Sequence, residues 1–285
     1  MRAIVALIVT LVACVSCVSC GTRAEAKDIA ASEIVKKLGR GESVVVNGAH
    51  ITGDLDLAEA GKGLKVMPLA HATIEGEVAF VNCVFEGRVT MSEAREDGRQ
   101  IVAVEFLRDV SFVGCSFLDD ADFSQARCRG RLTAERCTFR ETVNMDGARF
   151  DGGAVLNKTE IWGRWSACAA IFGHGSSMMG MACKQEVMMQ RAKFEGGIVM
   201  ADSELGHYAE LSGVWSSGDM SLANCQIAGR LEMRNAWIGG GLSMSNAQFG
   251  GKVTMEGVVT LGKIETRGAQ FKNGTDVSDC TFKLN

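Results

Sequence analysis

A chain of 285 residues has room for one or two domains and for a large buried core. Its formal charge of −4 is mild and its charged residues are interspersed, so no basic run suggests a nucleic-acid surface. A single proline, Pro68, against 34 glycines fits uninterrupted ladders with many turns, because proline removes a ladder donor.

The chain opens with Arg2 and an apolar run, Ala3 to Ala13. The run is too short to span a bilayer and predicts a signal peptide over residues 1–13. Leu11-Val12-Ala13-Cys14 resembles the bacterial lipoprotein signal, in which the cysteine is lipidated and becomes the first mature residue. Cys17 and Cys20 are alternative acceptors. Several acyl chains on one cysteine hold durably where one chain does not. The resemblance implies a mature chain outside the cytoplasm, membrane-anchored in a bacterial cell envelope, with residues 14–27 as a flexible tether. An ordinary cleaved signal would also send it outside. Removing Arg2 takes the charge from −4 to −5.

Residues 28–44 form the next unit. Ile29, Ile34, Val35 and Leu38 have helical spacing and predict a short N-terminal capping helix.

From residue 45 to 285 one phrase dominates. Written A-x-F-x-G-x-V-x-M-x-x, it runs without a slip from Val104 through Ala148, Ala192 and Ala236 to Cys280, seventeen copies in all. Its third position gives a ladder of phenylalanines, Phe106, Phe117, Phe139, Phe150, Phe172, Phe194, Phe249, Phe271 and Phe282. Three earlier copies start at Ala49, Ala72 and Cys83, with insertions at 58–71 and 94–103. Alternation over nine positions signals a strand, and the two extra residues force a turn. Glycine at the fifth position, as at Gly152, Gly196 and Gly251, suits a sharp bend or a positive φ. A repeat this small buries its apolar face only by stacking on its neighbours.

The phrase resembles the pentapeptide-repeat family in an eleven-residue variant. That resemblance implies an all-β fold, a right-handed quadrilateral β-helix with about 22 residues per coil. Inward residues would alternate at intervals of five and six, and ten coils would stack to about 50 Å. The C-terminal end, Phe282 to Asn285, has no cap in the sequence, and a homodimer through that end is expected. Some cytoplasmic members of the family resemble DNA and protect DNA gyrase from quinolones. The leader and the thinly spread charge weigh against that role here.

The register settles most groups that look reactive. Cys83, Cys115, Cys137, Cys225 and Cys280 fall at the small inward position and Cys128 and Cys183 at the large one, while Cys168 lies outside the inward register. Met145, Met178, Met189, Met200, Met233, Met244 and Met255 also point inward, which makes them core rather than a copper site. His174 and His207 replace the corner glycine at opposite corners. No cofactor or metal is expected. Asp119, Asp120 and Asp122 could meet at a corner, but turns of two or three residues build no cleft for a polysaccharide-active enzyme.

The outward columns carry the functional reading. Gln226, Gln248 and Gln270 predict a glutamine ladder. Ile171, Lys193, Trp215, Trp237 and Val259 predict an apolar strip on another face, an interaction surface for a protein or a polysaccharide. The sequence therefore reads as a non-enzymatic, lipid-anchored spacer or binding platform.

Overall fold

The computed structural model describes residues 27–60, 69–94 and 101–282. The predicted lipidation site at Cys14, its alternatives Cys17 and Cys20, and the chain end from Lys283 lie outside them.

Short parallel strands fall on four faces, visited in a fixed order. Face one opens at Val44–Asn47, face two at Ala49–Thr52, face three at Leu55–Asp56 and face four at Leu69–Ile74. The round repeats until Ile264–Glu265, Gln270–Phe271, Thr275–Asp276 and Thr281–Phe282 complete the last one. Face three is a 10-stranded sheet, so the described residues make ten coils. Face one is interrupted at coil six, where Ser177 bridges Val155 and Val199. From coil three onward the partners step by one coil of two phrases: Val110 with Leu132, Ala121 with Val143, Gln226 with Gln248. The β-solenoid read from the sequence is the observed fold.

The two corners of a phrase differ in physical cause. Within the seventeen consecutive copies the backbone φ is positive at the eleventh position, not at the fifth: Gly147 (64°), Lys158 (56°), Ala169 (55°), Arg191 (59°), Asn224 (57°), Asn235 (54°) and Asn246 (57°). The corner closes with Ala148 N–H donating to Met145 O at 3.1 Å, a four-residue turn whose third residue is left-handed, as in type II. Of the two expectations for the fifth-position glycines, a sharp bend or a positive φ, the second holds at Gly53 (77°) in the first coil and not in the consecutive copies. Gly152, Gly163 and Gly251 are absent from the left-handed set. They are small because coils touch there: a Cβ on Gly251 would lie 2.5 Å from the carbonyl carbon and oxygen of Gly229.

Inside, ring stacks run along the axis. Phe117 lies 4.7 Å from Phe85 and 4.3 Å from Phe139, and Phe172 lies 5.5 Å from Phe150 and 4.9 Å from Phe194, between centroids. Seven rings of the predicted ladder are buried, from Phe106 to Phe249. Phe271 and Phe282 depart from the expectation and are only partly buried, because coil ten is the last of the described coils. Trp165, at the seventh position, is also fully buried.

The N-terminal end is closed twice. Strand β1, Lys27–Ala30, pairs in parallel with Ala49–Thr52 and covers the open edge of face two. Helix α1, Ala31–Leu38, then lays Ala31, Ile34 and Leu38 over the core. The predicted helix is thus shorter than its apolar spacing suggested. Ile29 belongs to β1, where ladder bonds to the first coil outweigh one more helical turn.

Candidate functional site

Face four carries the predicted strip in register: Ile171 pairs with Lys193, Lys193 with Trp215, Trp215 with Trp237, and Trp237 with Val259. Strand alternation sends these side chains outward while Phe194 and Ile238 beside them point in. The indoles of Trp215 and Trp237 stack at 5.2 Å between centroids with planes 7° apart. Trp215 is 36% exposed, and Trp237 and Val259 are half-buried. A Cβ on Gly239 would meet Trp237 Cη2 at 3.0 Å, so the second indole leans across a residue that has no side chain to lift it. Leu261, 47% exposed, extends the apolar surface at the next coil.

Below the strip the same face is ionic. Arg127 reaches Glu105 (3.6 Å) and Asp151 (3.3 Å), Arg129 reaches Glu105 (2.9 Å), and Arg149 reaches Asp151 (2.5 Å) and Glu195 (3.6 Å). Such exposed pairs add little stability individually, but they satisfy one another. The aromatic strip begins where this network stops.

The other candidates are absorbed by structure. Asp119 Oδ1 accepts from the Asp120 amide (2.7 Å), Asp120 Oδ1 from the Thr142 amide (3.0 Å) and Asp122 Oδ1 from the Ser124 amide (2.9 Å). Asp119 and Asp120 shape the corner between faces two and three and Asp122 the next one, beside a shallow polar recess with Arg88 and Asn144. His174 and His207 are exposed at opposite corners, as expected. The seven inward-register methionines are buried, as is Met181, whereas Met179 is 40% exposed.

Of the cysteines, Cys83, Cys115, Cys128, Cys137, Cys183 and Cys225 are buried, while Cys280 at the open end is half-buried like Cys168. The eight cysteines among the described residues are all free thiols. A hydrogen bond from Cys137, with burial, pushes the Cys115 thiol up to about 12, and burial pushes Cys128 to about 12 and Cys225 to about 11. Burial and the hydrogen bond to Glu210 raise the Tyr208 hydroxyl to about 12, with the Arg230 guanidinium 5.1 Å from its ring centroid.

The glutamine ladder exists as register, Gln226 to Gln248 to Gln270. The side-chain amide ladder found among the described residues lies elsewhere, at the left-handed corner. Asn224 Nδ2 donates to Asp202 Oδ1 (2.8 Å) and Asn246 Nδ2 to Asn224 Oδ1 (3.2 Å). Sequence reading missed it, although 22-residue spacing of Asp and Asn at the eleventh position was the signal. It also missed Trp162, 49% exposed on face two with the Arg140 guanidinium 5.7 Å from its ring centroid. No helix among the described residues is long and apolar enough to cross a membrane.

Comparison with curated proteins and with solved structures finds no match. Residues 112–160 match a family described as pentapeptide repeats (9 copies). The matched segment lies within coils three to five, and the same register continues through the described coils on both sides. The chain is therefore a repeat protein, a parallel β-solenoid similar over that segment to pentapeptide repeats.

Proposed function

We propose that this β-solenoid is a non-enzymatic, lipid-anchored spacer and protein-interaction platform of a bacterial cell envelope, binding its protein partner through face four. The supporting observation is the stacked pair Trp215 and Trp237, continued on the same face by Val259 and Leu261. Tryptophan is enriched at binding hot spots, and this patch is held rigidly by ladder register. The stacking favours protein over polysaccharide on this face. Each indole covers a face of the other, so ring edges rather than flat platforms meet solvent. The anchor rests on Leu11-Val12-Ala13-Cys14. A gyrase-protecting DNA mimic is the less supported reading, since cations and carboxylates alternate along face four instead of forming an anionic track.

One experiment tests both the anchor and the face. Membranes from expressing cells are cross-linked, and the mature N-terminus is read by mass spectrometry. Lipid on Cys14 and a cross-linked protein lost in the Trp215→Ser/Trp237→Ser double variant are expected. An intact Met1 would remove the anchor, and an unchanged cross-link in the folded double variant would remove the face.

A second reading, a homodimer through the C-terminal end, is supported by the open last coil. A cavity of about 520 Å³ there is lined by Met244, Met255, Ile264, Phe271, Val277 and Phe282.

A further inference from the structure

The sequence shows no basic run, yet winding brings cations from separate phrases onto face two. At the eleventh position Arg136 and Lys158 stand on consecutive coils, and at the fourth position Arg140, Trp162 and Lys184 form a column. Both Arg136 and Lys158 are left-handed, with φ of 52° and 56°, which fixes where their stems leave the corner. Arg136, Arg140, Lys158 and Lys184 are all exposed. Lys184 Nζ turns away to Glu204 Oε2 at 3.1 Å. Among the described residues no carboxylate lies within ion-pair distance of Arg136, Arg140 or Lys158. Glu160 lies half-buried between them, and Glu135 and Glu141 adjoin Arg136 and Arg140 in the chain without pairing with them. This contrasts with face four, where Arg127, Arg129 and Arg149 are each matched to acids.

We propose that face two of coils four to six binds an anionic polysaccharide, one carrying carboxylates or sulfates along a chain of sugar rings. The patch joins the two chemistries such a ligand needs. Arg136, Arg140 and Lys158 offer hydrogen-bond donors of positive charge to spaced anionic groups. Trp162 offers an exposed aromatic surface to the apolar C–H face of a sugar ring. Arg140 over the indole holds both in one place. The surrounding face is a flat ladder, which suits an extended polymer lying along it rather than a small molecule in a pocket. Single-stranded nucleic acid is the poorer fit, because it is held by successive aromatic platforms along a basic groove, and this face presents one indole. The surface is separate from the tryptophan pair and needs neither the anchor nor the protein partner.

Isothermal titration calorimetry of the purified chain with polygalacturonate tests the site, with neutral dextran and an oligothymidylate as comparisons. Binding of polygalacturonate that weakens with salt, and none of dextran, is expected. Trp162→Ala and the combined Arg136→Asn, Arg140→Gln and Lys158→Asn variant should each weaken it about tenfold or more. Asparagine is used at 136 and 158 because it tolerates the left-handed backbone, and circular dichroism verifies folding. Trp215→Ser/Trp237→Ser should bind as the parent does. The proposal is overturned by no heat with polygalacturonate at low salt, by undiminished binding in both folded face-two variants, or by tighter binding of the oligothymidylate.

Discussion

Cys115, Cys137, Thr159, Ser203 and Cys225 share the first position of face two, with Met181 between Thr159 and Ser203, and each of the five side chains donates to a main-chain carbonyl of the preceding coil. Cys115 Sγ reaches Phe80 O at 3.4 Å, Cys137 Sγ reaches Phe112 O at 3.3 Å, Ser203 Oγ reaches Met178 O at 2.9 Å, Cys225 Sγ reaches Met200 O at 2.9 Å, and Thr159 Oγ1 bonds Ala134 O. A small side chain with a weak donor suits this position, so thiols and hydroxyls both recur there. The same burial determines reactivity, because only the thiolate attacks. Alkylation of the native protein at neutral pH, mapped by peptide mass spectrometry, should label Cys168 and Cys280 and spare Cys83, Cys115, Cys128, Cys137, Cys183 and Cys225 until denaturant is added. The sign of the pH dependence follows from the raised thiols. An acid whose folded pKa exceeds its unfolded value leaves stability intact below the unfolded pKa and lowers it above. For Cys225, raised from 9.0 to about 11, stability from urea unfolding should fall by about 1.4 kcal/mol per pH unit across that window. Cys225→Ala should remove that share of the slope, leaving the part contributed by the other raised thiols. Phe117 and Met145 were legible as core from period alone. Trp165 obeys the same register at its seventh position and is core as well.

An element here is a two-residue strand and its corner, and the corners separate two uses of glycine. Gly180 has φ of 65° with only Lys158 Cγ at 3.6 Å from a new Cβ, so Gly180→Ala should cost about 1 kcal/mol, the left-handed penalty. Gly251 lies against the backbone of Gly229 at 2.5 Å, so Gly251→Ala must push neighbouring coils apart and should cost about 3 kcal/mol or more. Chemical denaturation of both variants checks the order, and equal losses would refute the distinction. The sequence made both corners visible as breaks in alternation, since parity fails there. It did not say which break carried the positive φ, because Lys158, Ala169 and Arg191 occupy a conformation that composition assigns to glycine or asparagine. The asparagine ladder went unread for a related reason. Asn224 and Asn246 mark the turn locally and bond along the axis at once. The strip from Ile171 to Val259 was legible because 22-residue spacing alone fixes its column.

At the scale of the whole molecule the two ends differ. One is covered by β1 and α1. The other leaves Phe271 and Phe282 half-covered and Val277 50% exposed beside the terminal cavity. If two copies close that end against each other, sedimentation velocity should show a concentration-dependent dimer, and Val277→Lys should return it to monomer with the fold unchanged. A monomer at all concentrations would exclude the arrangement. The proposed compartment, partner and glycan patch belong to this scale and were the least readable. Trp162 and Lys158 gain their meaning only from neighbours a full winding away.

Because one winding is two phrases, length and orientation are linked by parity. Deleting a pair of phrases between the helix and Trp215 would shorten the rod by one step yet leave the indoles on their original side. Deleting a single phrase would swing everything beyond the cut halfway around the axis, so the tryptophans would look away from whatever the first coils face. Such a protein can change its reach freely only in even increments, and each odd one reassigns every outward side chain beyond it.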